Sequence, residues 1–381
     1  MKTALVHDWL VAKGGAEKVL GVLQELFEGP LYTLFKSSEF DAQTTFLQKI
    51  PGIQKHYRNW LPLFPLASKQ WDLSEYDLIL SSSYCMAKSV RTQPHQTHIC
   101  YCHTPMRFAF EPHITPMHPI KRQLAKPLLS YLRSFDRKTS LGVDYFIANS
   151  RHVQNRIKRC YNRDSIVIHP PVDTHLFTIA PKPDTYFFTS ARLVPYKRID
   201  LLIKAFTKLP GKQLLIAGDG PELSHLKSIA PKNVTFLGYL PDQNYRETLS
   251  KARGFLHAAE EDFGIAMAEA QSAGVPVIAY GIGGSQDIVL PGETGLFFER
   301  QDIESLLRAL SNFEKMEFDP QKIRGHAEQF SKEEFASKMK TFVEEKPTST
   351  DRHLCGDQFP QLKEALINCF LRDLSQTGRK S

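Results

Sequence analysis

The sequence predicts an α/β protein of two doubly wound domains in tandem, and three observations carry that prediction. The chain has 381 residues, which exceeds what a single hydrophobic core usually holds. Short apolar runs alternate with helical patterns almost from end to end, as in parallel sheets covered by helices on both faces. A stretch at 169–185 contains four prolines and has no periodicity, which predicts a linker between the domains.

The first domain is predicted over 1–170, followed by a linker over 171–184. Helical patterns cover 16–27 and 121–135. Strand-like apolar runs lie at 3–7, 76–80, 97–101, 144–148 and 165–169.

The second domain is predicted over 185–345. Its strand-like runs lie at 185–190, 212–218, 233–238, 254–258 and 276–280. Residues 346–381 form either a closing helix that packs on the first domain or a loosely attached tail. Ligands of such sheets bind beyond the carboxyl ends of the strands, so we expect a cleft where two of these edges face each other.

The composition indicates a globular protein without a nucleic-acid partner. Hydrophobic residues make up 42% of the chain and the net charge is +7, a small excess for this length without a recognised binding motif. The cysteines lack the spacing of a zinc site. The start, MKTALVHDWL, does not resemble a signal peptide, and no apolar run reaches the roughly 18 residues of a membrane span. We therefore expect a cytoplasmic protein, with peripheral contact to the inner face of the cytoplasmic membrane as an alternative.

Two glycines follow the first predicted strand, where a doubly wound domain builds its site. Gly14 and Gly15 precede a helical pattern, so the backbone can approach a ligand and the amides of the helix start favour a phosphate. The pattern is not GxGxxG, and no acidic residue follows at the distance that a dinucleotide site requires. A turn that serves folding alone is the alternative.

A basic turn follows the first strand of the second domain. Arg192, Lys197 and Arg198 surround a proline at a predicted helix start. Cations at this end of a helix oppose its dipole, so their placement favours an anion between them. The fork of Arg192 and the point charge of Lys197 suit a diphosphate. A solvated basic turn is the alternative.

The stretch EEDFGIAMAE at 260–269 begins with three acidic residues and ends with a fourth. Glu260 and Asp262 are expected to stabilise the start of a helix, but that role does not explain Glu269. Glu261 and Glu269 are eight residues apart, about 12 Å if the rise is helical throughout, a span comparable with that from a sugar across a diphosphate to a ribose. Glycines at 281, 283 and 284 form a further turn.

Glu261-x7-Glu269, inside EDFGIAMAEAQSAGVPVIA, resembles the signature of the retaining GT-B glycosyltransferases of family four. Further matches are GGAEKV near the start, YCHTPMRF, IANSRHVQNRI, SARLVPYKRIDLLIKAF, IAGDGPE and GGSQDIVLPGETGLFF. They occur in order and cover residues 1 to about 340. The resemblance implies a GT-B fold, with two Rossmann-like domains that face each other across a cleft and the acceptor bound by the first.

The resemblance also implies how a nucleotide sugar binds. Glu269 is implied to hold the ribose hydroxyls, and Arg192 with Lys197 to neutralise the diphosphate. Gly14 and Gly15 complete the cradle together with three backbone amides of the second domain, those of Phe263, Gly264 and Ile265.

Two more residues are implied to act near the donor sugar, Glu261 on its hydroxyls and His103 beside the reacting centre. Because the cations and a helix start can stabilise the departing diphosphate, no metal or other cofactor is expected. The acceptor hydroxyl is implied to attack from the face that the nucleotide leaves, so a carboxylate nucleophile is not required. The family pattern GGxxE reads GGSQD here, with Asp287 in place of glutamate, which leaves the role of that residue open.

The first domain also contains a basic amphipathic stretch at 121–138. Its leucines and Phe135 are mixed with basic residues, a pattern that suits either an anionic membrane or the domain core. The basic residues are Lys121, Arg122, Lys126, Arg133, Arg137 and Lys138.

We therefore predict a hexosyltransferase, most similar to mannosyltransferases, that acts on a glycan or lipid-linked acceptor in cell-surface polysaccharide or lipopolysaccharide assembly. A nucleotide-sugar epimerase of the same fold and a non-catalytic scaffold are the rival interpretations. The residues do not select guanine, uracil or adenine as the base.

Overall fold

In the computed structural model, the chain forms two parallel sheets, each with apolar clusters on both faces. The structure describes residues 1–12, 14–111 and 119–346. The predicted tail at 346–381 therefore lies, from residue 347 onward, outside the described residues. Neighbouring strands pair in parallel, as expected when helices connect consecutive strands. The predicted α/β class with two doubly wound sheets is confirmed.

The first sheet has seven strands in the order β3-β2-β1-β4-β5-β6-β7. Its strands are β1 Thr3–His7, β2 Leu31–Thr33, β3 Gln43–Thr44, β4 Leu78–Ser83, β5 Thr97–Cys102, β6 Tyr145–Ala148 and β7 Ser165–Val167. The helices of this domain are α1 Gly15–Leu26, α2 Ile53–His56, α3 Phe64–Ala67, α4 Arg107–Phe110, α5 Pro119–Ser140 and α6 Arg151–Tyr161. Short 3-10 helices lie at Phe46–Lys49, Tyr57–Leu63 and Ala87–Ser89.

The second sheet has six strands in the order β10-β9-β8-β11-β12-β13. Its strands are β8 Phe187–Ser190, β9 Leu214–Ala217, β10 Val234–Gly238, β11 Gly254–His257, β12 Val277–Tyr280 and β13 Gly295–Phe298. The helices that follow are α7 Ile199–Thr207, α8 Leu223–Ser228, α9 Asp242–Ser250, α10 Ile265–Ser272, α11 Ser285–Ile288, α12 Ile303–Phe313, α13 Pro320–Ala327 and α14 Lys332–Glu345. Further 3-10 helices lie at Thr174–Leu176, Pro195–Lys197 and Glu328–Phe330.

The strand β4 differs most from its prediction, because it ends at Ser83 instead of residue 80. Its last three residues are serines, and all three are buried. Ser81 and Ser82 hydrogen-bond to histidines of the same sheet, so their burial is compensated. An apolar run cannot reveal such a strand end.

The chain crosses between the domains at two adjacent places. Val172 pairs with Ser331 in a short parallel bridge, which places the predicted linker beside the segment that leads into α14. This last helix returns to the first domain, where Phe335, Met339 and Phe342 are buried beside Leu5. The prediction had placed residues up to 345 in the second domain, but the apolar face of α14 belongs to the core of the first.

The amphipathic helix α5 divides its apolar residues between core and surface. Leu129, Leu132 and Phe135 are buried, whereas Leu124 and Tyr131 are exposed by 76% and 53%. The side chains of Lys121 and Arg122 lie outside the described residues. Most of the apolar stripe therefore packs into the core of the first domain. Within the described ranges, no helix is long and apolar enough to span a membrane.

Candidate functional site

The carboxylate of Glu269 lies in α10, with its side chain only 11% exposed, and it faces across the cleft to the first domain. Its Oε1 accepts a hydrogen bond from Lys18 Nζ at 2.8 Å, and its Oε2 accepts one from the Tyr245 hydroxyl at 2.8 Å. Burial and this carboxylate raise the pKa of Tyr245 well above its usual value, so the phenol remains a donor. Glu269 is thus held by both domains.

A cavity of about 610 Å³ opens at the carboxyl ends of β8, β9 and β10. Arg192, Gly218 and Glu269 line it from the second domain, and Lys18 lines it from the first. Arg192 is exposed, and its guanidinium makes no hydrogen bond or ion pair within the residues that the structure describes. The structure therefore brings two of the predicted nucleotide-binding residues, Arg192 and Glu269, to one cavity.

Gly14 and Gly15 lie where the first domain comes closest to this cleft. Gly14 caps α1, and its amide donates to Glu17 Oε2 at 2.9 Å. A Cβ atom on Gly15 would lie 2.9 Å from Ile265 Cδ1 of the second domain, closer than real Cβ contacts. The absence of a side chain at Gly15 thus permits the approach of α1 to the start of α10.

Lys197 and Glu261 form a direct ion pair with each other. Burial opposes the charge of Lys197, but Glu261 raises the pKa of the ammonium above its usual value. His257 Nε2 is buried, 4.0 Å from the same Glu261 oxygen, and has no hydrogen-bond partner among the residues that the structure describes. The two residues that were implied to bind the diphosphate and the sugar are therefore neighbours at the end of β11.

A glycine turn fixes the loop that contains Glu261. Gly284 N donates to Glu261 O at 2.8 Å, and Gly283, at φ 100°, forms a parallel bridge with Glu261. Phe263 is buried and stacks on His169 with ring centroids 5.5 Å apart. Gly264 is the N-cap of α10, which begins at Ile265, so the first amides of this helix have no acceptor within the helix.

The expected helix-capping role of Glu260 and Asp262 is wrong. The first turn of α10 has no acidic residue. Asp262 instead pairs with Arg156 of the first domain, and Glu260 lies 3.5 Å from His152 of the same helix α6. Burial opposes the ionisation of Asp262, but Arg156 and Arg107 hold its pKa below the usual value. These acidic residues therefore join the domains.

Arg156 was missed as a cleft residue, although the stretch IANSRHVQNRI was noted. Its side chain is fully buried, where it also contacts Glu111 at 3.1 Å and Thr104 at 2.8 Å. An arginine amid the apolar periodicity of α6, at a position that should face the core, was the available signal, because a buried guanidinium requires partners.

Asp287 has a second set of contacts between the domains. Its Oδ1 accepts from Arg151 Nε at 2.7 Å and its Oδ2 from the Arg151 amide at 2.7 Å, while His169 Nε2 lies 3.2 Å away. Burial opposes its ionisation, but hydrogen bonds from His169 and Arg151 hold the pKa of Asp287 below the usual value. The residue that departs from the family pattern is thus an ion-pair partner of α6.

His103 follows β5 at the carboxyl edge of the first sheet. Its Nε2 lies 2.8 Å from Ser82 Oγ, and burial lowers the pKa of the imidazole to about 3. Within the described part of the chain, no hydrogen bond joins His103 to Arg192, Lys197, Glu261 or Glu269. No group of three or more possible metal ligands occurs among the described residues.

Two family models match the chain and together cover both domains. The one described as Glycosyltransferase Family 4 matches residues 31–176, and the one described as Glycosyl transferases group 1 matches residues 175–347. The two matches meet in the segment that joins the sheets.

Curated relatives match about half of the chain. A GDP-mannose-dependent monoacylated alpha-(1-6)-phosphatidylinositol monomannoside mannosyltransferase of Corynebacterium glutamicum is 35% identical over 46% of this chain and 54% of its own length. A D-inositol 3-phosphate glycosyltransferase of a Mycobacterium species is 29% identical over 42% of each. The chain thus spans about half the length of the curated relatives it matches.

Solved structures resemble the whole fold. HepE of Anabaena, in complex with UDP and glucose, superposes with a TM-score of 0.68 over 91% of this chain and all of its own, at 18% identity. The lipopolysaccharide outer core galactosyltransferase WaaB, in its apo form, gives 0.65 over 90% of this chain and 99% of its own, at 17% identity. At these identities the likeness concerns the fold alone.

Proposed function

Because the chain belongs to the family-four GT-B glycosyltransferases, we propose that it transfers a mannose-like hexose from a nucleotide-diphosphate sugar to a glycan or lipid-linked acceptor. The proposal places this reaction in the biosynthesis of a cell-surface polysaccharide or lipopolysaccharide. The choice of sugar is supported by the relatives named as mannosyltransferases.

The observation that carries the proposal is the cavity that Arg192 and Glu269 share. A carboxylate can accept two hydrogen bonds from vicinal hydroxyls, and a guanidinium can bind a diphosphate with two parallel donors. The cavity lies beyond the carboxyl ends of three parallel strands, where doubly wound sheets bind nucleotides. In this assignment the ribose takes the place of Lys18 on Glu269 Oε1, while Tyr245 keeps Oε2 in position.

In this proposal the leaving diphosphate is stabilised by cations and backbone amides beside the cleft. Arg192 and Lys197 supply positive charge, and the amides at the starts of α1 and α10 supply donors. Such preorganised charge acts where negative charge develops in the transition state. The acceptor hydroxyl attacks on the face that the nucleotide leaves, and a phosphate oxygen takes its proton, so the anomeric configuration is retained.

His103 and Glu261 border the sugar in this mechanism. Glu261 turns from Lys197 to the sugar hydroxyls as Lys197 engages the diphosphate. His103 is neutral above a pH of about 3, so it interacts with the sugar through a hydrogen bond and not through a charge.

The experiment is a screen of nucleotide sugars that carry guanine, uracil or adenine, with and without polyprenyl-phosphate and phosphatidylinositol acceptors. We expect hydrolysis of one donor that accelerates with acceptor, continues in EDTA, and gives a product with the donor's anomeric configuration by NMR. Transfer that stops in EDTA and returns with manganese would contradict the metal-independent mechanism. Epimerisation of the donor without transfer would support the rival interpretation as an epimerase. A chain that is inactive with every donor would support the interpretation as a non-catalytic scaffold.

Ribose recognition is tested by Glu269→Gln together with a nucleoside diphosphate that lacks both ribose hydroxyls. Each change alone should weaken binding by roughly 1.5–3 kcal/mol, the value of a hydrogen bond to a charged group. Because both remove the same contact, the two losses should not add. Full additivity in calorimetry would show that Glu269 does not contact the ribose.

Contact with an anionic membrane is the remaining part of the proposal. It is supported by Leu124 and Tyr131, which are exposed on α5 beside exposed Lys126 and Lys138, a combination that suits an anionic lipid surface. Sedimentation with phosphatidylglycerol vesicles tests it: Leu124→Glu should abolish binding, whereas Leu176→Glu, at an exposed leucine of the linker, should not. Equal binding by both variants would exclude this helix as the contact.

A further inference from the structure

A path of polar side chains crosses three neighbouring strands of the first sheet and ends at His103. His7 Nδ1 lies 3.1 Å from Ser82 Oγ, and the same oxygen lies 2.8 Å from His103 Nε2. At the other end, His7 Nε2 lies 3.6 Å from Glu17 Oε1. The path therefore joins the first turn of α1, beside the Gly14-Gly15 loop, to the histidine that borders the sugar.

The strand register places these side chains on one face of the sheet. His7 of β1 is the Cα partner of Ser82 of β4, and Ser82 is the partner of Tyr101 of β5. Side chains alternate along a strand, so His103, two residues after Tyr101, extends on the same face. Tyr101 packs in the apolar cluster of that face. The path thus follows from the parallel pairing of β1, β4 and β5.

The single proton of the Ser82 hydroxyl couples the two imidazoles. A hydroxyl donates one hydrogen bond, so Ser82 Oγ can donate to one histidine and must accept from the other. His7 Nε2 is buried and has no hydrogen-bond partner among the described residues, and Glu17 Oε1 is the carboxylate oxygen that it faces. A lone pair on His7 Nε2 would be repelled by that carboxylate oxygen, so the geometry favours a proton on His7 Nε2.

We propose that Glu17, His7 and Ser82 are positioning residues that fix neutral His103 as the tautomer with its proton on Nε2, so that Nδ1 accepts a hydrogen bond from a ligand hydroxyl. With a proton on His7 Nε2, Ser82 donates to His7 Nδ1 and accepts from His103 Nε2. Nδ1 of His103 is then left with its lone pair, and it has no partner within the described part of the chain.

This inference rests on the proposed function for its ligand but not for its geometry. The ligand group is a hydroxyl of the donor or acceptor sugar, since a lone pair on Nδ1 requires a donor. The lowered pKa of His103, about 3, keeps the imidazole neutral over the whole range of enzyme assays. The tautomer of a histidine is commonly set by the hydrogen bond that one of its ring nitrogens makes, which leaves the other nitrogen free for the ligand.

The tautomer is tested directly on the wild-type protein, labelled with ¹⁵N-histidine, by long-range ¹H–¹⁵N NMR. We expect His103 to show a protonated Nε2 and an unprotonated Nδ1, and His7 to show the same pair. A proton on Nδ1 of His103 would overturn the proposal. Because this measurement needs no substrate, it tests the tautomer even if the chain proves inactive with every nucleotide sugar.

Three serine variants test the consequence for catalysis. Ser82→Ala should lower kcat about tenfold, the loss expected from one neutral hydrogen bond, with mixed tautomers of His103 in the spectrum. Ser82→Thr, which keeps the hydroxyl on a strand, should restore both. The matched control is Ser81→Ala: Ser81 Oγ is buried on the opposite face of β4 and lies 2.8 Å from His98 Nε2, so its loss should leave kcat unchanged. Equal activity of the two alanine variants would overturn the positioning role.

Discussion

The cleft contains a counter-ion for the largely buried carboxylate of Glu269. Glu269 has two partners that differ in exposure. The side chain of Lys18 is 55% exposed, whereas Tyr245 is packed beside β8. Because the Lys18 end of this pair is solvated, we expect the pair to contribute little, about the 0.2–1 kcal/mol of ion pairs at a surface. Lys18 therefore neutralises Glu269 at small cost to a ligand that displaces it.

Replacement of Lys18 by methionine should tighten the binding of uncharged nucleosides. The ribose then no longer competes with an ammonium, and the gain should reach at most about fivefold. Titration of a nucleoside panel by NMR measures it. Lys204→Met is the matched control, because Lys204 is 52% exposed and pairs with Asp200 at 3.0 Å outside the cavity. Weaker binding by the Lys18 variant would show that the ammonium contacts the nucleoside itself.

His257 should make the stability of the second domain depend on pH. Burial lowers the pKa of this imidazole to about 4, below the value near 6.5 of an unfolded chain. Since the folded pKa is lower, the contribution is complete above a pH of about 6.5 and is lost as the pH falls toward 4. It amounts to roughly 3 kcal/mol over that window. Urea unfolding measures the free energies of unfolding of the wild type and of His257→Gln across this range. The difference between the two should change by that amount from one end of the range to the other, and a difference that stays constant with pH would contradict the prediction.

Sequence reasoning selected charged residues of the second domain as site candidates but did not find the residues that pair with them. Glu261, Glu269, Arg192 and Lys197 follow strands at fixed spacing, so local pattern was enough to select them. Lys18, the partner of Glu269 in the first domain, lies 251 residues away in sequence. Such pairing depends on how the two domains approach, which no local periodicity records.

At the scale of elements, two loops of the second domain hold each other through backbone contact. The glycine turn before α11 lies against the loop 260–263 so closely that Gly284 leaves no space for a side chain. An added Cβ would lie 2.3 Å from Phe263 Cα and 2.5 Å from Phe263 O. These are backbone atoms, which cannot move aside as a side-chain end could.

Gly284→Ala should therefore destabilise the protein by about 1–3 kcal/mol, the usual cost of overpacking, and should lower activity because Glu261 moves with its loop. Gly21→Ala is the matched control. Gly21 lies inside α1 with no atom within 4 Å of the added Cβ, so alanine should stabilise by about 0.5–1 kcal/mol. Thermal unfolding and activity measure both. Wild-type behaviour of Gly284→Ala would mean that this contact is not rigid.

Element prediction succeeded where burial and apolar character coincide. β1 was predicted with its bounds, because the first four of its five residues are apolar or β-branched. β3 has two residues and β2 has three, which are too short to show a period. The serine end of β4 is buried through hydrogen bonds to His7, His98 and His103, so its strand character arises from tertiary contacts and not from its own composition.

At the scale of the whole molecule, two groups of ion pairs link α6 of the first domain to the loops of the second. Arg156 meets Asp262, and Arg151 meets Asp287, from one helix. The chain itself crosses between the domains only near Val172 and Ser331 within the described residues. The relative position of the domains therefore depends on side-chain contacts as well as on these two crossing segments, which together form the hinge.

Asp287 should control this closure, because three groups of the first domain and the linker converge on one buried carboxylate: the Arg151 amide, the Arg151 guanidinium and His169. Asp287→Ala removes all three, and hydrogen bonds to a charged group are worth about 1.5–3 kcal/mol each. Water replaces them when the domains separate, so a net loss of about 2 kcal/mol is reasonable and shifts the ratio of closed to open molecules up to about thirtyfold.

We expect a larger radius of gyration for Asp287→Ala in small-angle scattering, with unfolding temperatures close to wild type, since the contact lies between the domains and not within a core.

Arg151→Ala should give a smaller effect, because the backbone amide and His169 remain. Arg300→Ala is its matched control: Arg300 Nε lies 2.8 Å from Asp302, and its side chain is 65% exposed against 68% for Arg151, but both partners belong to one domain. It should leave scattering unchanged. If Asp287→Ala scatters as the wild type does, the domains are held by the hinge and by Arg156, and the aspartate that departs from the family pattern has no part in closure.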